Sequence, residues 1–298
     1  MNTEYYRIFL ECVRTGNLTQ AAENLGYTQS GISHIVALLE AEFGFPLLSR
    51  SKSGVRLTRD GARIASLMRE VINRDEQLRQ SASEINGLRS GKLCIGSIES
   101  VAVQWLPGLI KRFNEMHPDI EISVIVGDYK RIEDMLTEEI VDCGFISSVT
   151  SRQYRFMSLF KDEFVVLFPE GHPLANRESL TLQQVAELDF IVPCEGANYD
   201  IGQIFRREGI RLNVKAEINS DYVAIAMVKA GLGVTIMPKL LIKGMGDIDP
   251  SARLEPRCFR TIGIAYKNEG SLSPACKAFI GFASAELSSL IDSQSCLR

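Results

Sequence analysis

At 298 residues, with 45% apolar and 23% charged side chains, the chain has the composition of a soluble globular protein and is too long for one ordinary core. A formal net charge of −4 excludes a protein that is basic throughout, and no apolar run approaches the roughly 18 residues a membrane span needs. The seven scattered cysteines form no C-x-x-C pair, and Met1-Asn2-Thr3-Glu4 opens no signal peptide. Free thiols in a reducing cytoplasm are therefore expected, rather than a disulfide framework or a zinc site.

Tyr6, Phe9, Leu10 and Val13 recur at helical spacing, and Gly16 ends that first helix. A short helix follows over Thr19–Leu25, closed by Gly26. Thr28 is then a good N-cap for a third helix with Ile32, Ile35, Leu39 and Phe43 on one face. Ala21 and Ala22 let the second and third helices cross closely across a connection of a few residues, which predicts a helix-turn-helix. After Gly44, two short extended runs flank a Ser/Gly tip over Ser49–Thr58. This reads as a β-hairpin wing, the alternative being a plain surface loop. Residues 1–58 hold five basic and five acidic side chains, but Arg50, Lys52 and Arg56 fall within seven residues, with Arg59 next. A neutral module can bind a polyanion when its cations share one face.

From Arg59 to about Leu88 the chain has no proline. Ile64, Met68, Val71, Leu78, Ala82 and Ile85 step by fours and threes with Asp75 on the same seam, a heptad stripe that suits a self-pairing helix. A helix packed on its own domain is the alternative, and Asp75 would mark register in a pair. Ser90-Gly91 ends the helix. Strand runs then occur at Leu93–Ile98, Ile120–Val126, Cys143–Ile146, Phe164–Phe168, Phe190–Val192, Val214–Ile218, Val234–Met237 and Thr261–Tyr266. Helical patterns lie between most of them, at Trp105–Met116, Ile132–Ile140, Asp221–Ala230 and Pro274–Leu290. Such alternation predicts parallel α/β sheets, and a stretch this long suggests two lobes with a cleft.

Phe9, Gly16, Leu18-Thr19, Ala21-Ala22, Leu25, Gln29-Ser30, Ile32-Ser33, Leu39-Glu40, Gly44, Leu47, Arg50, Leu57-Thr58 and Gly61 together resemble the LysR-type transcriptional regulators. The remainder resembles the family's effector domain more loosely, through Gly96-Ser97, Leu106-Pro107, His117-Pro118, Val141-Asp142, Gly171-His172-Pro173-Leu174, Gly231-Leu232-Gly233 and Met237-Pro238. Leu48 stands where the family usually has Phe, and Gly31 where Ala is usual. The resemblance implies an N-terminal all-α winged helix-turn-helix (1–58), a long linker or dimerisation helix (59–90) and a C-terminal α/β two-lobed effector domain (91–298) resembling type 2 periplasmic binding proteins. Lobe I would span about 91–161 and 269–298, and lobe II about 162–268. It further implies a cytoplasmic homotetramer, a dimer of dimers, that binds promoter DNA and contacts RNA polymerase, with a small-molecule effector of unknown identity, no cofactor and no metal.

A recognition helix presents its N-terminal residues to base edges. The expected DNA-binding set is Thr28, Gln29, Ser30, Ser33 and His34, with Arg50, Lys52 and Arg56 on phosphates, or Arg50 bracing the wing. Ligands of open α/β sheets bind beyond the carboxyl ends of strands, near helix N-termini. By resemblance Ser97, Glu99 and Ser100 hold the effector, Ser100 being also a natural N-cap; other strand ends deliver Asp128, Ser147, Ser148, Glu195, Asn198, Ser220 and Asp221. Ser100 and Ser148 are the foremost of these. Glu99 at that mouth opposes an anionic ligand unless it points to solvent. Cys143 and Cys194 raise a redox-sensor alternative, but Cys194 neighbours Glu195, and inert thiols are the better reading. A solute-binding protein is opposed by the missing signal peptide and the extra ninety residues. An enzyme is opposed by the dispersal of His34, His117 and His172 and by the absence of a Walker loop or G-x-S-x-G.

Overall fold

The computed structural model describes residues 2–51, 54–85, 91–148, 154–193, 197–243 and 251–295. The chain divides into two compact units, Met1–Gly91 with Glu138–Ile140, and Lys92–Thr137 with Val141–Arg298. No helix among the described residues is long and apolar enough to cross a membrane.

In the first unit, α1 (Thr3–Thr15), α2 (Leu18–Leu25) and α3 (Gln29–Phe43) precede an antiparallel hairpin, β1 (Leu48–Ser51) and β2 (Gly54–Leu57), and the long α4 (Arg59–Ile85). Each boundary has a local cause. The side chain of Asn17 accepts from Thr19 and Gln20 at the start of α2, and Gly26 takes the left-handed φ of +70° that turns the chain toward α3. Ile8, Phe9, Ile32, Val36, Leu39 and Leu47 are fully buried together with Ala21 and Ala22, so the small pair does let the helices close up. Glu40 then ties the wing to α3, its Oε1 accepting from the backbone N–H groups of Leu47 (2.7 Å) and Leu48 (3.0 Å). Thr58 caps α4, and a Cβ at Gly61 would come 2.1 Å from the Leu47 carbonyl, so this crossing admits only glycine.

The heptad stripe divides. Ala65, Met68 and Ile72 bury themselves in their own module with Ile64 against them, whereas Leu67, Val71 and Leu78 are exposed. Asp75 pairs with Arg79 one turn on, at 3.0 Å.

The second unit runs β3 (Gly91–Ser97), α5 (Glu99–Gln104), α6 (Leu106–Met116), β4 (Ile120–Val126), α7 (Tyr129–Thr137), β5 (Cys143–Ser147) and the long β6 (Arg155–Leu167). It continues through β7 (Ser179–Thr181), α8 (Leu182–Ala186), β8 (Phe190–Pro193), α9 (Ala197–Arg207), β9 (Val214–Ile218), α10 (Asp221–Lys229), β10 (Thr235–Pro238), α11 (Lys239–Ile242), β11 (Ser251–Glu255), β12 (Phe259–Tyr266) and α12 (Pro274–Ser295). The main sheet has the order β4-β3-β5-β12-β6-β11-β7, with β10 also on β6.

The sheets are mixed, which corrects the expectation of parallel ones. The pairs β3–β5, β7–β11 and β8–β9 are parallel, but β12 runs antiparallel to both β5 and β6, and β10 and β11 run antiparallel to β6. The cause lies in β6, which extends well before the expected Phe164–Phe168 run. Residues 155–163 pair with β12, and 164–167 pair with β10 and β11, so one strand serves two lobes. Its second half is apolar without alternation because both faces are covered. Phe164 and Val166 face one core with Phe190 and Ile236, and Val165 and Leu167 face another with Ile191 and Met237. In the other lobe Phe113 packs edge-on to Phe279 of α12 at 5.3 Å.

Candidate nucleic-acid interface and ligand cleft

The first turn of α3 is polar and turned outward: Thr28, Gln29, Ser30 and His34 are exposed and Ser33 is half-buried. The Oγ1 atom of Thr28 accepts from the Gly31 N–H at 3.1 Å and lies 3.2 Å from Ser30 Oγ, so this hydroxyl is occupied in starting the helix. A Cβ at Gly31 would sit 3.1 Å from the same oxygen, which gives the unusual glycine a local role in leaving room for the cap. Among the described residues none hydrogen-bonds the Gln29 carboxamide or the His34 ring.

The charges of the neutral module are sorted. Arg14 is bound to Glu11 at 2.6 Å and Arg7 to Glu76 at 2.8 Å. Arg50 and Arg56, on the two strands of the wing, are exposed and form no ion pair among the described residues. The cations left over are those a phosphate backbone could use. Lys52 lies outside the described residues.

In the second unit a cavity of about 210 Å³ opens between the two lobes. Glu99 and Ser100 of α5, Asp128 and Tyr129 at the start of α7, Ser220 and Asp221 at the start of α10, and Arg260 of β12 line it, with Ile98, Val126 and Leu241 as apolar wall. Its floor is a buried network. The Arg260 guanidinium donates to Asp162 Oδ2 from Nε (3.0 Å) and Nη2 (2.8 Å), to Ser100 Oγ from Nη2 (2.7 Å) and to Tyr129 OH from Nη1 (3.2 Å). Tyr129 in turn donates to Asp200 Oδ2 at 2.7 Å. Asp162 Oδ1 accepts from the Leu240 N–H at 2.9 Å. The adjacent Glu163 holds Lys239 (2.7 Å) and Arg257 (2.6 Å), which bring its pKa down to about 2, the Arg257 hydrogen bond contributing most. These pairs sit where β6 passes from one lobe to the other.

Five expected effector residues line the cavity: Glu99, Ser100, Asp128, Ser220 and Asp221. Ser100 is not an N-cap, a correction: α5 begins at Glu99 with Ile98 at the cap, and Ser100 sits one residue in, where its hydroxyl meets Arg260. Ser220 does cap α10, accepting from Val223, and Asp128 accepts from Arg131 at 2.6 Å. Ser97 and Ser147 are buried, and neither they nor Ser148 line the cavity. The Ser97 hydroxyl donates to the Ile98 carbonyl, and the backbone N–H of Ser148 donates to Thr261. Glu195 and the Asn198 side chain lie outside the described residues, as does Cys194. Cys143 is buried, and its pKa is pushed up by hydrogen bonding to Cys276 and by burial, the opposite of a poised thiolate.

Residues 3–62 match the family described as "Bacterial regulatory helix-turn-helix protein, lysR family", and residues 86–288 match "LysR substrate binding domain". The chain belongs to the LysR family. This LysR-type regulator is 34% identical to the "Probable HTH-type transcriptional regulator LrrA" of Synechococcus elongatus, over 94% of this chain and 95% of that one. Among solved structures it resembles full-length CbnR complexed with its target DNA (TM-score 0.65, 18% identity, 95% of this chain and 99% of that one), a likeness of fold alone. It also resembles the effector-binding domain of QuiR in complex with shikimate (TM-score 0.61, 28% identity), which covers 67% of this chain and 98% of that one. The LysR-type chain is therefore a transcriptional regulator with a DNA-binding helix-turn-helix and an effector-binding domain, a class that is not enzymatic.

The residues missed in sequence are Arg260, Asp162, Asp200 and Tyr129. Arg260 and Asp162 stand just before the apolar runs Thr261–Tyr266 and Phe164–Phe168, and only their burial, which demands a partner for each charge, marks them out.

Proposed function

We propose that this regulator reads promoter DNA with Gln29, Ser30, Ser33 and His34, while Arg50, Lys52 and Arg56 hold phosphates and Thr28 sets the start of the reading helix. The observation that carries this is the pairing of an exposed polar first turn on α3 with a wing whose arginines have no acidic partner among the described residues. Gln can bind adenine through two hydrogen bonds, and unpaired arginines supply affinity without sequence information.

We further propose the division into reader (1–58), dimerisation helix (59–90) and effector domain (91–298), assembled as a dimer of dimers in the bacterial cytosol. The exposed Leu67, Val71 and Leu78 follow one another along one side of α4 and support self-pairing. An effector in the cavity lined by Ser100 and Arg260 shifts the balance between lobe arrangements, and the output passes to DNA geometry and RNA polymerase. QuiR, with shikimate in its effector domain, supports a small organic ligand for this cleft. Such a ligand acts only through different affinities for the two arrangements. Footprinting the full chain on the DNA upstream of its own gene tests the proposal: protected half-sites about one turn apart are expected, and protection that follows no sequence would contradict it.

A further inference from the structure

We infer that the cavity accepts a small organic cation, a protonated primary amine on an aliphatic body, held between the carboxylates of Glu99 and Asp221. This rests on reading the cavity as the effector site and names the ligand class that fits it. An ion pair with an anionic effector needs a free cationic side chain, and the only basic side chain lining the cavity among the described residues is Arg260. Its guanidinium already makes four hydrogen bonds, to Asp162, Ser100 and Tyr129. The positive ends of α5 and α10 also face the cavity, but each already carries its own acid in the first turn, Glu99 and Asp221. What remains for a ligand is a negative rim of Glu99, Asp221 and Asp128 above apolar Ile98, Val126 and Leu241.

Burial, then the nearby Glu99, raises the Asp221 pKa to about 6, and Arg260 pulls it only partly back. Glu99 is itself raised by burial. Asp221 shares the cavity with Glu99 from α5, Arg260 from β12, Asp128 before α7 and Tyr129 at its start, so a cation is the group that offsets the repulsion between the two ionised carboxylates.

The test is calorimetry and thermal shift on the full chain with two matched sets: cyclohexylmethylamine, cyclohexylmethanol and cyclohexanecarboxylate, then 4-aminobutan-1-ol, butane-1,4-diol and 4-hydroxybutanoate. The amine should bind at least tenfold more tightly than its alcohol or carboxylate in at least one set. Its affinity should fall about tenfold per pH unit below 6, as Asp221 protonates. Asp221→Asn should remove that pH dependence and weaken the amine about tenfold, and Glu99→Gln should weaken it too, with circular dichroism confirming both folds. An alcohol or carboxylate that binds as well as its amine, no binding by either amine, or amine binding untouched by Asp221→Asn would each overturn the inference. Asn219→Trp, which fills the cavity mouth, separates the two levels. A carboxylate whose binding is lost in that variant leaves the cleft reading standing and the cation class refuted. An amine that still binds it refutes the cleft reading itself.

Discussion

Arg260 and Asp162 are 4% and 1% exposed, and the energetics of the effector domain turn on how that pair is satisfied. Removing one partner strands a buried charge. Arg260→Leu should therefore destabilise the effector domain by about 3–5 kcal/mol in urea unfolding, whereas replacing both residues by apolar ones of similar size should cost less. Arg260→Lys should fall between, because an ammonium cannot reproduce the fork that reaches Asp162, Ser100 and Tyr129 together. Two neighbouring acids respond to pH in opposite senses. Glu163 is held at about 2 against an ordinary 4.5, so its contribution is complete above about pH 4.5 and disappears as pH falls through 2. Asp221, at about 6 against an ordinary 3.8, favours the folded state fully only below 3.8, and that contribution is lost as pH rises through 6. Asp221→Asn should thus stabilise the domain at pH 7.5, by about 2–3 kcal/mol, and change little at pH 4. A loss of stability at pH 7.5 in thermal unfolding would show that this carboxylate has a partner worth more than its burial.

Among the elements, α4 has two tasks on two faces. Ala65, Met68 and Ile72 belong to the core of the DNA-reading module, and Leu67, Val71 and Leu78 do not. Leu78→Asp should leave the fold of that module intact and lower the oligomeric state seen by sedimentation. Met68→Ala should do the reverse, costing about 2–5 kcal/mol of module stability with assembly retained. An unchanged sedimentation profile for Leu78→Asp would remove α4 from the dimer interface. The helix itself was legible in sequence, but its division was not, because a single heptad stripe merges the buried Met68 with the exposed Val71 and Leu78. The helix-turn-helix was legible for a simpler reason: its caps Thr28 and Gly26 and its small Ala21-Ala22 crossing act within a few residues of one another. The effector domain was less so. The length of the stretch suggested two lobes, yet β7 is only three residues long, β11 carries just two apolar residues, Ala252 and Leu254, and the direction of a strand leaves no mark in its composition. For the same reason the cleft was half visible. Residues at strand ends such as Glu99 and Asp221 could be named from local pattern, whereas Arg260, Asp162 and Asp200 come together, through Tyr129, only by hydrogen bonds across 71 to 131 residues of chain.

At the scale of the whole molecule, the family and the sorted charges of the DNA-binding module converge on one account. If, as proposed, a reader with no net charge takes its affinity from wing arginines that form no ion pair among the described residues and its discrimination from the first turn of α3, specificity and affinity should be separable by mutation. Arg56→Ala should weaken binding to every DNA and lower the salt slope by about one. The most direct measurement is fluorescence anisotropy of full-length wild type and Gln29→Ala on the footprinted site and on a scrambled duplex, at one fixed salt concentration. The expected result is a loss of about 1–3 kcal/mol on the specific site with scrambled DNA unaffected. An equal loss on both duplexes, or none on either, would contradict the assignment of base reading to the first turn of α3.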